Sequence, residues 1–142
     1  MKNDVVIIGG GHAGGMTAIA LRQQKFHGSI VLIGEENFLP YQRPALSKGF
    51  LAGEIKKERL FLKSQDYFDK NNIKIHRNHK ALDIDKDNKA VLLEDGEKIE
   101  YVKLVIATGS IVRQLKTNVT ANAIDYIKTI KDAIQRKEQL KA

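Results

Sequence analysis

Three glycines and one acid carry the first chemical signal in this chain. Gly9, Gly11 and Gly14 stand in the spacing G-x-G-x-x-G directly after the apolar run Val5 to Ile8, a pattern suited to holding a pyrophosphate. The first glycine permits a tight turn, the second lets a diphosphate approach the backbone without a Cβ in the way, and the third lets helix and strand pack closely. A helix that opens at such a turn has amide groups with no partner inside the helix, and its macrodipole places roughly half a positive charge there. A phosphate is the natural occupant. Glu35 follows the last glycine by about twenty residues, the place of an acid that accepts ribose hydroxyls. A surface acid at a strand end is the competing reading, and Glu36 is the reserve candidate. For the whole motif the alternative is a glycine-rich turn in an unrelated α/β protein. The strand before it, the helix after it and the acid one strand later favour the dinucleotide.

The elements that position these residues follow from local pattern. Val5 to Ile8 are β-branched without polar alternation, as in a parallel strand covered on both faces. A helix over about residues 12 to 24 places Gly14, Ala18 and Leu21 on one face and turns Arg22, Gln23 and Gln24 towards water. Ser29 to Ile33 is a second apolar strand. Residues 34 to 53 then hold both prolines of the chain and no clean periodicity, and so long a connection in a compact domain is usually functional. Ser64 predicts the N-cap of a short helix to Lys70, and Ile73 to His76 predicts a third parallel strand. Ala81 to Asp85, Ala90 to Leu93 and Lys98 to Tyr101 read as an antiparallel meander with turns at Lys86-Asp87-Asn88 and Glu94-Asp95-Gly96. Leu104 to Ala107 reads as a further buried strand that delivers Thr108 and Gly109 to the ligand-binding edge of the sheet, with a plain strand-ending turn as the alternative. A basic amphipathic helix over about Ile124 to Leu140 closes the chain, with Ile127, Ile130 and Ile134 on one stripe.

Composition bounds the function. The 142 residues, 42% hydrophobic and 29% charged, suit one domain with a real core. No run approaches the roughly 20 apolar residues of a membrane span. The first residues already belong to a strand, which leaves no room for a cleaved signal peptide, so a cytoplasmic address is expected. With no cysteine, disulfide frameworks, thiolate zinc sites and catalytic thiols are excluded, and no metal site is read. The net charge of +7 is spread along the chain, and aromatic content is only 6%. That describes a solvated basic surface rather than a nucleic-acid interface, and one that attracts an acidic protein or an anionic cofactor.

Several segments together carry a family resemblance. They are Gly9 to Gly14, Leu39-Pro40-Tyr41-Gln42-Arg43-Pro44-Ala45-Leu46-Ser47-Lys48, the Asp95-Gly96 turn, Ala107-Thr108-Gly109-Ser110 and Tyr126 to Ala133. In order and over nearly the whole chain they resemble the rubredoxin and ferredoxin (putidaredoxin) reductases. The proline-tyrosine-x-arginine-proline-x-leucine-serine-lysine segment is the most specific part. The resemblance implies an α/β fold, a Rossmann-like FAD-binding domain of glutathione-reductase type, with a parallel sheet and a three-stranded antiparallel meander. It also implies an NAD(P)H-dependent oxidoreductase that passes electrons through FAD to a ferredoxin- or rubredoxin-like carrier.

By family position, Ala13 and its neighbours, including His12 through its backbone alone, would contact the pyrophosphate. Glu35 would bind the adenosine ribose, Ala81 would touch adenine through its backbone, and Lys48 would lie on the flavin side. Lys128 stands where the family usually has arginine, and as a point charge it cannot fork as arginine does. Arg43 and Lys48 have the charge to neutralise a diphosphate, and a lysine near the flavin would stabilise negative charge on the reduced ring. Solvated surface charge is the alternative for all three cations. No residue is assigned a catalytic role, and without cysteine the flavin chemistry must proceed without a protein thiol.

Two departures from the family stand out. Lys25 replaces the glycine that commonly ends the first helix, at a cost of roughly 1–2 kcal/mol if the site is left-handed. Ile111-Val112 replace an arginine-proline pair after the alanine-threonine-glycine turn, although Arg113 follows. The expected organisation is an FAD-binding segment over 1–123 and a connecting helix over 124–142 that leads to an NAD(P)H domain outside this chain. An incomplete, inactive fragment is therefore expected. The alternative is a non-catalytic nucleotide-binding or interaction module that retains the fold.

Overall fold

A computed structural model of the chain describes residues 2–116 and 124–140. The chain forms two compact units, one from Met1–Tyr41 with Phe61–Gly109 and the other from Gln42–Leu60 with Ser110–Ala142. The predicted domain boundary at residue 123 lies outside the described residues.

The first unit contains β1 (Asn3–Ile8), α1 (His12–Gln23), β2 (Ile30–Gly34), α2 (Gln65–Lys70), β3 (Ile73–Arg77), β4 (Ala81–Asp85), β5 (Ala90–Leu93) and β6 (Lys98–Ile106). Strand order is β3-β2-β1-β6-β5-β4. β1 lies between β2 and β6, parallel to both, with Val5 opposite Ile30 on one side and Lys103 on the other. Side chains of β1 alternate between two cores. Val5 and Ile7 pack with Ala18, Ile19, Leu32, Phe68 and Ile73 on the helical face. Val6 and Ile8 pack with Val91, Leu93, Ile99 and Tyr101 on the face covered by the meander. Burial on both faces is why β1 and β2 show no polar alternation.

The meander strand predicted over Lys98 to Tyr101 and the separate strand over Leu104 to Ala107 are one continuous element. The start of β6 pairs antiparallel with β5, with Ile99 opposite Val91, and from Tyr101 onward it runs parallel to β1. No turn residue interrupts Lys98 to Ile106, so the chain has no reason to break there.

Arg22 corrects a second expectation, because it does not simply face water. Its Nε donates to Asn71 O at 2.6 Å, Nη1 to Phe26 O at 2.6 Å and Gly28 O at 2.8 Å, and Nη2 to Asn72 O at 2.9 Å. The rigid fork of guanidinium donors thus ties the end of α1 to the turn before β3. The same helix end has Lys25 at φ +60°. Phe26 N–H donates to Leu21 O at 2.9 Å and Lys25 N–H to Arg22 O at 3.0 Å, the paired bonds of a Schellman ending with lysine in the position that favours glycine.

In the second unit, Arg43–Ala45 forms a 3₁₀ turn with Pro44 in its first positions, and Lys57–Leu60 forms another. Helix α3 spans Ile130–Gln139 rather than beginning near Ile124. The reason is a capping box. Thr129 Oγ1 accepts from Asp132 N–H at 3.2 Å, while the Asp132 carboxylate accepts from Thr129 N–H at 2.8 Å and Lys128 N–H at 3.1 Å. Ile127 and Lys128 therefore precede the helix, and its buried residues are Ile130 and Ala133. Among the described residues no helix is long and apolar enough to cross a membrane.

Two stability predictions follow from these helix ends. Lys25→Gly removes the left-handed strain and raises stability by about 1 kcal/mol, or roughly 3 °C in thermal midpoint, whereas Lys25→Ala leaves it nearly unchanged. The Asp132 carboxyl is held below its ordinary value of 3.8. Burial alone would raise it, but the amides of Thr129 and Lys128, the Thr129 hydroxyl and the charge of Arg43 outweigh that. A depressed folded-state value stabilises the native state fully above the unfolded value, and that contribution is lost as pH falls through the folded value. Unfolding midpoints recorded from neutral pH into that acid window should fall more gently with pH for Asp132→Asn than for the wild type, from a lower starting point.

Candidate functional site

The carboxyl ends of β1, β2 and β6 meet at a corner built almost wholly of backbone. Gly9 has φ +119°, and a Cβ there would lie 2.1 Å from Ala107 O and 3.0 Å from Thr108 N. No side chain fits between these strands. Gly9 N–H donates to Ile33 O at 2.8 Å, and Ala107 N–H donates to Ile8 O at 2.7 Å, so the turn is tied to both neighbours. A Cβ on Gly14 would lie 1.9 Å from Gly9 O and 3.2 Å from Leu32 Cδ1. The third glycine of the motif is the point where α1 touches the end of β1.

Gly11 is different. It is the N-cap of α1 with φ −79° and ψ −166°, a conformation open to any residue. Backbone strain therefore does not require glycine there. No side chain caps this helix start and its first turn contains no acid. His12 and Ala13 are exposed, and the first backbone bond inside the helix runs from Gly15 N–H to Gly11 O at 3.0 Å. The amides of His12, Ala13 and Gly14 precede that bond. The result is an electropositive backbone surface suited to an anion.

Three glycines that the sequence reading passed over complete the corner. A Cβ on Gly10 would lie 2.9 Å from Gly34 Cα, and one on Gly34 would lie 3.1 Å from Gly10 Cα, so the ends of β1 and β2 are in backbone contact. A Cβ on Gly15 would meet Pro40 Cβ at 2.3 Å. The doubled glycines Gly9-Gly10 and Gly14-Gly15 were the available signal.

Glu35 emerges directly beyond this contact. It is exposed, with Oε1 3.7 Å from Lys80 Nζ. Glu36 is already engaged, because its Oε2 accepts from the buried Tyr41 hydroxyl at 2.6 Å. Of the two acids, Glu35 has the more accessible carboxylate. After β3 the chain crosses the end of β2, where Asn78 N–H donates to Glu36 O at 3.3 Å and His79 N–H to Gly34 O at 3.0 Å. That crossing brings Lys80 and half-buried Ala81 to the side of the Glu35 segment. Thr108 and Gly109 are exposed just past β6, with Gly109 at φ +73° and open space around it. Gly9, Gly11, His12, Ala13, Gly14, Glu35, Ala81, Thr108 and Gly109 thus share the first unit.

Arg43, Lys48 and Lys128 belong to the second unit. Lys48 is exposed in the turns that follow the 3₁₀ segment. Arg43 is half-buried, and its Nη1 donates to Lys128 O at 2.5 Å. Lys128, expected on a helix, lies in the irregular segment before α3 with its backbone bonded at both N–H and C=O.

A protein-family model for pyridine nucleotide-disulphide oxidoreductases matches residues 3–142. The chain is 37% identical over 137 residues to rubredoxin-NAD(+) reductase of Pseudomonas putida, covering 96% of this chain and 36% of that protein. Among solved structures, the covalent putidaredoxin reductase–putidaredoxin complex superposes with a TM-score of 0.90 at 35% identity, over 97% of this chain and 34% of that one. NADH:rubredoxin oxidoreductase from Clostridium acetobutylicum gives 0.87 at 35% identity, over 99% and 36%. The chain spans about a third of the length of the curated relatives it matches. With the Rossmann-like sheet and the glycine corner in place, the match over residues 3–142 leads to one assignment: the chain belongs to the pyridine nucleotide-disulphide oxidoreductase family.

Proposed function

We propose that this chain is the FAD-binding portion of an NAD(P)H-dependent flavoprotein oxidoreductase that passes electrons to a ferredoxin- or rubredoxin-like carrier. The observation that carries the reading is the uncapped, acid-free start of α1, framed by glycines whose Cβ positions are filled by neighbouring backbone. An anion suits that surface. Gly11 is consistent with this, because it sits at the N-cap with an ordinary backbone and has no Cβ to keep a ligand from the helix start. The names of the relatives supply the chemical class, since those proteins are reductases of rubredoxin and putidaredoxin.

In this reading the amides of His12, Ala13 and Gly14 hold the diphosphate, with Gly9 and Gly11 clearing its approach. Glu35 accepts the adenosine ribose hydroxyls, and the backbone of Ala81 lies against adenine. Thr108 and Gly109 line the same sheet edge. Lys48 supplies positive charge on the flavin side, and Lys128 acts as a point charge. Arg43 contributes its charge from an anchored position. Bound FAD supplies the hydride acceptance and one-electron donation that protein side chains lack. The FAD segment is proposed as 1–123, with 124–142 connecting it to the part of the full-length protein that binds NAD(P)H. The cytoplasm is the proposed address.

Titration of the chain with FAD, followed by quenching of flavin fluorescence, tests this. One FAD per chain is expected at modest affinity, without bleaching of the flavin by NADH. Glu35→Ala should weaken FAD binding by roughly tenfold, the scale of one charge-assisted hydrogen bond, while weakening FMN binding little because FMN lacks the adenosine ribose. Equal loss for FAD and FMN, or no FAD binding at all, would remove the assignment.

A further inference from the structure

Next to the glycine corner, one cluster in the first unit brings together side chains with metal-ligand chemistry. His76 on β3, His79 in the turn after it and Glu97 in the β5–β6 turn each offer one ligand atom, and these atoms all lie within 4.8 Å of one another. We propose that His76, His79 and Glu97 form a binding site for a divalent transition-metal ion of the zinc type, which fastens the β5–β6 turn to the edge strand of the parallel sheet.

The spacing fits an ion better than it fits hydrogen bonds. Ligands at about 2.0–2.1 Å from a tetrahedral centre stand about 3.3 Å apart. His76 Nδ1 is 3.8 Å from Glu97 Oε2, too long for a hydrogen bond, while Asp95, outside the proposed ligand set, has Oδ2 3.3 Å from His79 Nε2. Protonation points the same way. His79 Nδ1 is 2.7 Å from Arg77 O, and a carbonyl can only accept, so Nδ1 carries the proton. In that tautomer Nε2 is the nitrogen with a lone pair to offer a metal ion. Outer hydrogen bonds of this kind, from one ring nitrogen to a backbone carbonyl, fix the tautomer of ligating histidines.

His76 is the more buried partner, with its side chain 10% exposed. A surface cavity of about 400 Å³ bordered by Lys74, His76, Glu97 and Lys98 opens beside two of the three ligands. The two lysines oppose a cation, which sets the affinity below that of a closed structural site. Two imidazoles and a carboxylate without thiolate suit zinc, cobalt or nickel rather than calcium or magnesium. On a straight strand, residues three apart point to opposite faces. The two histidines share a site because β3 ends at Arg77 and Asn78 turns the chain at φ +60°.

The test is titration of the chelator-stripped chain with Co²⁺, with Zn²⁺ competition and thermal unfolding alongside. One Co²⁺ per chain is expected, with the visible absorption of a low-symmetry site that Zn²⁺ abolishes, and Zn²⁺ should raise the unfolding midpoint. His79→Ala and Glu97→Gln alter more exposed side chains. Each should weaken binding at least tenfold and abolish the Zn²⁺-dependent rise, while the metal-free midpoint and circular dichroism stay unchanged. No visible Co²⁺ spectrum, or binding undiminished in both variants, would overturn the proposal.

Discussion

The contact on which everything else rests is the approach of three backbone segments at the end of β1. Gly9 lies against Ala107, its carbonyl lies where a Cβ on Gly14 would sit, and Gly10 lies against Gly34. Space sets this constraint, more than any attraction. Each contact closes the gap between two elements to less than a side chain's width, so α1 can pack on β1 only if those positions lack Cβ atoms. Once the segments are that close, the α1 amides are fixed in direction by the sheet itself. An anion arriving there would meet donors that need no rearrangement.

Much of this was legible in the sequence, for a physical reason. The unbroken apolar runs of β1 and β2 have no alternative to burial on both faces, and the glycine spacing has few uses. Ser64 announced α2, and its Oγ accepts from Tyr67 N–H at 3.3 Å. What stayed hidden depends on distant partners. Arg22 reads as a surface residue on a helical wheel, because its acceptors Asn71 and Asn72 are about fifty positions away. Gly10, Gly15 and Gly34 sit outside the familiar spacing, and their need for small size appears only when Gly34 and Pro40 arrive from elsewhere.

The start of α3 is an instructive miss, since it was written locally. Thr129-Ile130-Lys131-Asp132 is a capping pattern, and the apolar stripe that includes Ile127 obscured it. Periodicity alone extends a helix backwards through any isoleucine at the right spacing. The competing hydrogen bonds of a threonine and an aspartate decide where it begins. The candidate site divides in the same way. Its backbone donors and Glu35 could be located from spacing, whereas the engagement of Glu36 with Tyr41 depends on a buried hydroxyl that no spacing rule includes.

The continuity of β6 has a consequence for how this architecture tolerates change. One end of that strand is hydrogen-bonded into the meander and the other into the parallel sheet. Adding or deleting a residue inside it would swap inward and outward side chains in both layers at once. Length variation among descendants of such a chain should therefore collect in the hairpin tips and avoid the shared strand, which acts as a ruler common to two sheets.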